Sequence, residues 1–487
     1  MDWNKLLSGK RLRKSKRPPE AQEPSPSPHL DLRNPFESDF GRVIFSPATR
    51  RMHDKTQVFP LTLDDNTHSR LTHSMEVMAI GYSFGIKITQ SEYFRKIAGK
   101  TEIELLREVP IILQNACLVH DIGNPPFGHF GETVIQNYFK SLFKKNEHTK
   151  TELEKRLDVA DESKNKEIRL QLNELFKLTG DEPEDFTRFD GNAQGFRVLT
   201  KLQILDDDKG LNLTSATLGS YLKYPNTGPI DKKIINKKKR GVFQSEKAYL
   251  SEIASNCGLV IEEQIKRHPL CFLMEAADSI CYLVMDIEDG FNRGWYGYSF
   301  LKDSFSKLPG LKEVFEKLDK ENTTFGVEIT KVANLRIYLI QHLVNLATSN
   351  FLKNLDAINL GTYNLELIFE GPDEVAKCLQ KFCWDHIFPS RDITSLELTG
   401  HSVLTGLLDY YIMFLFHEDA DYRKRGEGLI SNGIKRVALI ENGLSENDSI
   451  DNLNDYFKLR IIVDFVSGMT DQFALNHYQK LSGQKII

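Results

Sequence analysis

Apolar residues along this chain recur mostly at helical spacing, and charged residues fill the positions between them. Met75-Glu76-Val77-Met78-Ala79-Ile80 continues a segment from His73 as a helix. Glu102 to Leu118 forms the next, and its apolar run Ile111 to Val119 stops at Gly123-Asn124-Pro125-Pro126. From Glu147 to Leu178 the chain is heavily charged, with Leu157, Ile168, Leu170, Leu172, Leu175 and Leu178 near helical intervals, as in a long exposed hairpin or insertion. Lys232, Lys233, Lys237, Lys238, Lys239 and Arg240 precede Gly241 and read as a loop. One strand is predicted, from Tyr363 to Phe369, where Tyr363, Leu365, Leu367 and Phe369 alternate with other residues. Long helices return from Leu396 to Phe416 and from Tyr456 to Tyr478. There is no internal repeat and no linker that separates domains, so the pattern predicts a mainly α fold with minor short strands, one large domain over residues 31–487.

Residues 1–30 differ. Lys10, Arg11, Arg13, Lys14, Lys16 and Arg17 are followed by Pro18-Pro19 and a Pro-Ser alternation at Pro24 to Pro28, a composition expected to form a flexible basic arm. Such an arm is either simply solvated or touches nucleic acid or a neighbouring subunit. The 487-residue chain carries 63 Lys and Arg against 68 Asp and Glu, a net charge of −5, which excludes a general nucleic-acid coat. The cysteines Cys117, Cys257, Cys271, Cys281, Cys378 and Cys383 lack CxxC pairing and read as reduced thiols. With neither a membrane-spanning apolar stretch nor a signal-peptide core in view, a cytoplasmic location is expected.

The candidate chemistry lies where the Ile111 to Val119 run breaks. His120-Asp121 stands at that break, His73 lies upstream, and Asp278 lies downstream in Glu275-Ala276-Ala277-Asp278. Two imidazoles and two carboxylates from three segments make a metal set with room for water and phosphate. The donors suit a divalent ion, Mg or Mn first, with Fe, Co or Zn also compatible. Singly, each histidine reads as a hydrogen-bonded core residue; the four together favour the metal. His129 and Glu132, in Gly128-His129-Phe130-Gly131-Glu132, read either as an acid-base dyad or as a glycine-rich turn with a capping glutamate.

These segments carry a resemblance. Phe36-Glu37-Ser38-Asp39, the run Arg50 to Leu61, Arg70-Leu71-Thr72-His73-Ser74, the run His120 to His129, Gly191-Asn192-Ala193-Gln194, Leu222-Lys223-Tyr224-Pro225, Gly241-Val242-Phe243 and the run Asp464 to Asp471 resemble, in order, the deoxyguanosine triphosphate triphosphohydrolases of the HD superfamily in their long bacterial form. The resemblance implies an HD-domain helical phosphohydrolase fold, with a metal-binding core over about residues 66–290 and a C-terminal helical part over about 291–487. It implies hydrolysis of dGTP, or of other deoxynucleoside triphosphates, to the deoxynucleoside and tripolyphosphate by water attack at the α-phosphorus. His129, oriented by Glu132, then serves as proton donor or as base on the water. Gln57 and Val58 belong to the segment that reaches the sugar. Tyr282 excludes a 2′-hydroxyl and Asp286 binds the 3′-hydroxyl, the two following Asp278 at i+4 and i+8 on one helix face. Asn192, Lys223 and Lys239 match positions near the triphosphate, although Lys239 also reads as part of a solvated basic loop. Arg460 and Glu397 match regions that line the pocket from the C-terminal part. His53 and Asp190 depart from the usual Gln and Glu, which leaves base preference open.

The resemblance further implies a hexamer and a single-stranded DNA effector. Two rival readings accompany it. One is another HD phosphohydrolase, such as a nucleotidase or a cyclic-dinucleotide phosphodiesterase, although the Gly-Tyr-Pro motif of the latter is only partly matched by Lys223-Tyr224-Pro225. The other is a non-catalytic protein that binds nucleotides or single-stranded nucleic acid.

Overall fold

The computed structural model describes residues 1–12, 32–57, 61, 68–157, 164, 168–169, 171–172, 175–203, 209–320 and 327–485. Its helices follow the apolar periodicity. Those that position the site are α1 (Trp3–Leu6), α2 (Pro35–Ile44), α3 (Arg70–Thr89), α4 (Glu102–Val119), α5 (Gly128–Leu157), α6 (Gly191–Arg197), α7 (Ser215–Tyr221), α8 (Pro269–Asn292), α9 (Val327–Lys353), α10 (Arg391–Leu415), α11 (Asn432–Glu441), α12 (Asp455–Ser467) and α13 (Asp471–Leu481). The fold is mainly α, as the pattern predicts.

Side-chain caps set the starts of the two central helices. Ser69 with Thr72 opens α3, and Thr101 with Glu104 opens α4, each pair satisfying backbone N–H groups that have no partner inside the helix. The two helices then pack along each other, and α8 crosses both before meeting α9. Pro110 lies inside α4, and a Cβ on Gly85 of α3 would stand 2.4 Å from the Pro110 Cα. Only glycine there lets the helices close, bringing the first turn of α3 beside the last turn of α4.

A hydrophobic core joins Trp3, Leu6, α3, α4, α8 and α9. A second joins Phe127, Val134, Ile135 and Phe139 to Leu404, Leu407, Tyr411 and Ile462. Because α5 shares its core with the C-terminal helices, packing does not divide near residue 290.

Two expectations are corrected. Among the described residues the sheet is the antiparallel pair β1 (Val260–Ile261) and β2 (Gln264–Ile265), not the segment from Tyr363 to Phe369. Leu367–Phe369 is a 3-10 turn in which the consecutive residues Leu367 and Ile368 are both buried, an arrangement that strand alternation does not give. The Asn350 side chain donates to the carbonyls of Leu367 and Glu370, satisfying backbone groups for which no neighbouring strand is at hand.

The second correction concerns residues 1–12, which are not a free arm. Trp3, Leu6, Leu7 and Leu12 are buried, and Arg11 pairs with Asp39 at 2.7 Å. Arg13, Lys14, Lys16, Arg17 and the proline-rich run lie outside the described residues, as do Val58 and most of 158–174. The lysine-rich stretch is a loop with a 3-10 turn at Ile235–Lys237, and the six cysteines are free. No described helix is long and apolar enough to cross a membrane.

Candidate active site

Two helix ends and one helix middle meet at a single point. His73 comes from the first turn of α3, His120 caps the C-terminus of α4 with Asp121 following, and Asp278 projects from the middle of α8. Asp278 Oδ1 lies 3.3 Å from the Nε2 of His73 and 3.3 Å from the Nε2 of His120, and Asp121 Oδ1 lies 3.6 Å from the latter. The ligand atoms of His73, His120 and Asp121 lie within 4.8 Å of one another. The four residues expected to form a metal set are thus gathered.

The donor set fits a divalent ion. His120 Nδ1 bonds the Cys117 carbonyl at 2.7 Å, which assigns a proton to that nitrogen and turns Nε2 toward the carboxylates. That buried Nε2 has no hydrogen-bond partner. Adjacent ligands on an octahedral ion with bonds of about 2.1 Å lie about 3 Å apart, close to the separations here.

Neighbours hold the carboxylates in place. Burial alone would raise both acids, but Lys223 and His120 around Asp278, and His120 and Arg70 around Asp121, hold them below the usual carboxylate range. Arg70 donates to Asp121 Oδ2 at 2.5 Å, and the Asn124 amide donates to Oδ1 at 2.7 Å. Lys223 Nζ lies 2.6 Å from Asp278 Oδ2.

Beside this cluster α5 begins, with His129 in its first turn. Phe127 and Gly128 both have left-handed φ, +62° and +58°, and a Cβ on Gly128 would strike the Arg70 guanidinium. This sharp turn starts α5 within reach of the ligands. His129 Nδ1 bonds Glu132 Oε2 at 3.1 Å, while Oε1 accepts the Gly191 N–H at 2.6 Å. The Glu132 side chain is buried, yet His129 and Lys239 hold its pKa down at about 2. Glu132 in turn raises that of His129, favouring the imidazolium. The His129 side chain remains 76% exposed, so a substrate can reach the ring. His129 and Glu132 thus form a bonded pair, and the same glutamate holds the start of α6.

The remaining predicted positions surround these two groups. Lys239, on the lysine-rich loop and partly exposed, pairs with Asp190 at 2.6 Å and lies 3.8 Å from Glu132. Asn192 bonds Asp190 through its amide at 2.8 Å, and its carbonyl accepts from Tyr221 at 2.7 Å. Tyr282 and Asp286 follow Asp278 along α8. Tyr282 is half-buried, with Gln380 bonding its hydroxyl, and Asp286 is buried, which together with nearby Asp289 raises its carboxyl well above the usual range. Asp286 is thus not the surface residue of an ordinary amphipathic helix. Gln57 Oε1 is buried without a partner, and the Gln57 N–H donates to the His68 carbonyl at 3.3 Å.

Arg460 lies inside the C-terminal packing. It is fully buried, bonds Gln194 and Asp464 at 3.0 Å, and stacks on Phe243 at 4.0 Å. His53 is exposed and pairs with Asp54, whereas Asp190 sits in the site. Sequence reasoning overlooked Arg70, Asn124, Tyr221 and His68. The first two stand inside the quoted motifs, Arg70 three residues before His73 and Asn124 three after Asp121. His68 bonds Asp289 at 2.9 Å and Glu76 at 3.2 Å, and the bond to Asp289, seconded by Glu76, pushes its pKa up to about 10.

Comparison with known proteins adds independent findings. Residues 70–187 match the HD domain, and residues 445–480 match the phosphohydrolase-associated domain. The chain is 34% identical, over 99% of its length and all of the relative's, to a Listeria innocua protein named deoxyguanosinetriphosphate triphosphohydrolase-like protein. A Synechocystis protein of the same name is 32% identical over 99% of each chain. A Yersinia pseudotuberculosis protein named deoxyguanosinetriphosphate triphosphohydrolase is 31% identical over 95% of this chain and 96% of its own.

Proposed function

The chain belongs to the HD-domain family of deoxyguanosinetriphosphate triphosphohydrolase-like proteins, and from that premise we propose that it hydrolyses dGTP, or a wider set of deoxynucleoside triphosphates, to the deoxynucleoside and tripolyphosphate. The observation that carries this reading is the convergence of His73, His120, Asp121 and Asp278 beside the His129–Glu132 pair. A divalent ion bound by those four residues supplies Lewis-acid stabilisation at the α-phosphate and a water of lowered pKa. Everything else falls to the chain's own side chains.

Departure of the 5′-oxygen requires a proton. The raised pKa of His129 makes it the donor, through the exposed Nε2, and Glu132 keeps the ring oriented and charged. Arg70 and Asn124 fix the Asp121 carboxylate, while Lys223 and Lys239 place two ammonium groups where a polyanionic leaving group collects charge. On the sugar side, Gln57 offers an unpartnered amide oxygen and Asp286 a buried carboxyl for the 3′-hydroxyl, and the Tyr282 ring fills the space of a 2′-hydroxyl. As the resemblance implies, we extend this reading to a homo-hexamer and a single-stranded DNA effector, which sedimentation with and without an oligonucleotide checks.

The reaction is tested by loading the protein with Mg²⁺ or Mn²⁺, incubating it with each deoxynucleoside triphosphate and with GTP, and separating the anions released. Tripolyphosphate formed in step with deoxynucleoside supports the proposal; orthophosphate or pyrophosphate as the first product contradicts it.

A further inference from the structure

The proposed ligands His120 and Asp121 directly follow α4 and His129 lies in the first turn of α5, so the turn between them sets the distance from the ligands to the proposed proton donor. That turn is held from the C-terminal end of the chain. Asp471, the first residue of α13, is 3% exposed, and its Oδ1 accepts the Phe127 N–H at 3.0 Å. Its Oδ2 accepts the Thr56 N–H at 3.0 Å and the Thr56 hydroxyl at 2.6 Å. Lys55, equally buried, donates to the carbonyls of Asn124 at 2.6 Å and Ser467 at 2.9 Å.

Two features show that this geometry is imposed. Phe127 holds φ at +62°, a conformation that a bulky residue does not keep unless its surroundings enforce it. Its ring also lies against Gly400 of α10, where a Cβ would come within 2.6 Å. One carboxylate therefore spans two strips of the proposed site, the turn leading into His129 and the segment leading into Gln57.

We propose that Asp471 is a positioning residue for the hydrolytic step: a two-sided clamp that fixes His129 against the metal ligands and, through Thr56, fixes Gln57 against the sugar. This assigns a task to the C-terminal segment 445–480, to which Ser467 and Asp471 belong. It rests on the function proposed above. Asparagine in place of the aspartate keeps the shape but turns one acceptor oxygen into a donor, which then faces an N–H or a hydroxyl.

The test compares wild-type protein with Asp471→Asn, Thr56→Val and, as a control on the exposed face of the same helix, Gln472→Ala. Mn²⁺ binding by calorimetry, thermal unfolding, kcat and KM for dGTP, and the ratio of kcat/KM for dGTP to that for 2′,3′-dideoxyguanosine triphosphate are measured. Asp471→Asn is expected to bind Mn²⁺ as the wild type does, to lose at least tenfold in kcat, and to narrow the dGTP/dideoxy ratio at least threefold. Thr56→Val narrows the ratio with a smaller loss of kcat, and Gln472→Ala changes neither. A folded Asp471→Asn with wild-type kcat and an unchanged ratio overturns the clamp. Should that variant not fold, an unchanged ratio in Thr56→Val overturns it. Wild-type protein that releases no tripolyphosphate overturns the proposed function itself.

Discussion

Replacing His129 by alanine removes the proposed proton donor without touching a proposed metal ligand, because the ring bonds only Glu132 among the site residues. Metal content is expected to stay at the wild-type level while kcat falls by about 10²–10⁴-fold, the usual worth of a positioned general acid; analysis of bound metal and steady-state rates on the same preparation checks both. Tyr282→Ala is expected to reduce discrimination against GTP by about tenfold, the order that one hydroxyl's worth of packing carries, and the dGTP/GTP ratio of kcat/KM reads it. The residues of the proposed metal set were legible because each sits in a distinctive local run, His120-Asp121 at a helix break above all. The partners were less so. Arg70 and His68 act by reaching across the fold to Asp121 and Asp289, while Asn124 folds back on Asp121 within its own turn, and a sequence carries no sign of which cation or amide will meet which carboxylate.

At the scale of elements, α8 carries Asp278, Tyr282 and Asp286, and its N-terminus depends on His268. The Leu270 N–H donates to His268 Nδ1 at 3.1 Å, and Nε2 donates to the Leu6 carbonyl of α1 at 3.0 Å, so the ring is buried and neutral. Burial lowers its pKa from 6.5 to about 4. As pH falls from 6.5 to 4, the unfolded chain takes up this proton before the folded one does. The contribution is therefore complete above about pH 6.5 and falls by roughly 3 kcal/mol by pH 4. Urea unfolding at several pH values should show that slope, and His268→Asn, which keeps a capping oxygen, should flatten it. Helices of this length were legible because their apolar stripes run over many turns. The strand expected from Tyr363 to Phe369 failed because alternation over a few residues is weak evidence, and the actual hairpin, with two residues in each strand, is too short to leave a period.

Across the whole molecule, a buried charge network ties the central helices to the C-terminal ones. Arg197, at the end of α6, is fully buried and reaches Glu246 at 2.7 Å, Glu441 of α11 at 2.7 Å and Asp464 of α12 at 2.8 Å. Arg197→Ala leaves three buried carboxylates without this cation and is expected to cost about 3–5 kcal/mol of stability, read as a shift in the urea midpoint. With Asp471 and Lys55, this network joins the C-terminal helices to the segments that carry the candidate site. The central claim, that the cluster of His73, His120, Asp121 and Asp278 directs water to the α-phosphorus and His129 protonates the departing 5′-oxygen, is tested most directly by turnover in H₂¹⁸O. Mass spectrometry is predicted to find one ¹⁸O in tripolyphosphate and none in the deoxynucleoside; label in the deoxynucleoside, or in orthophosphate released in its place, would contradict it.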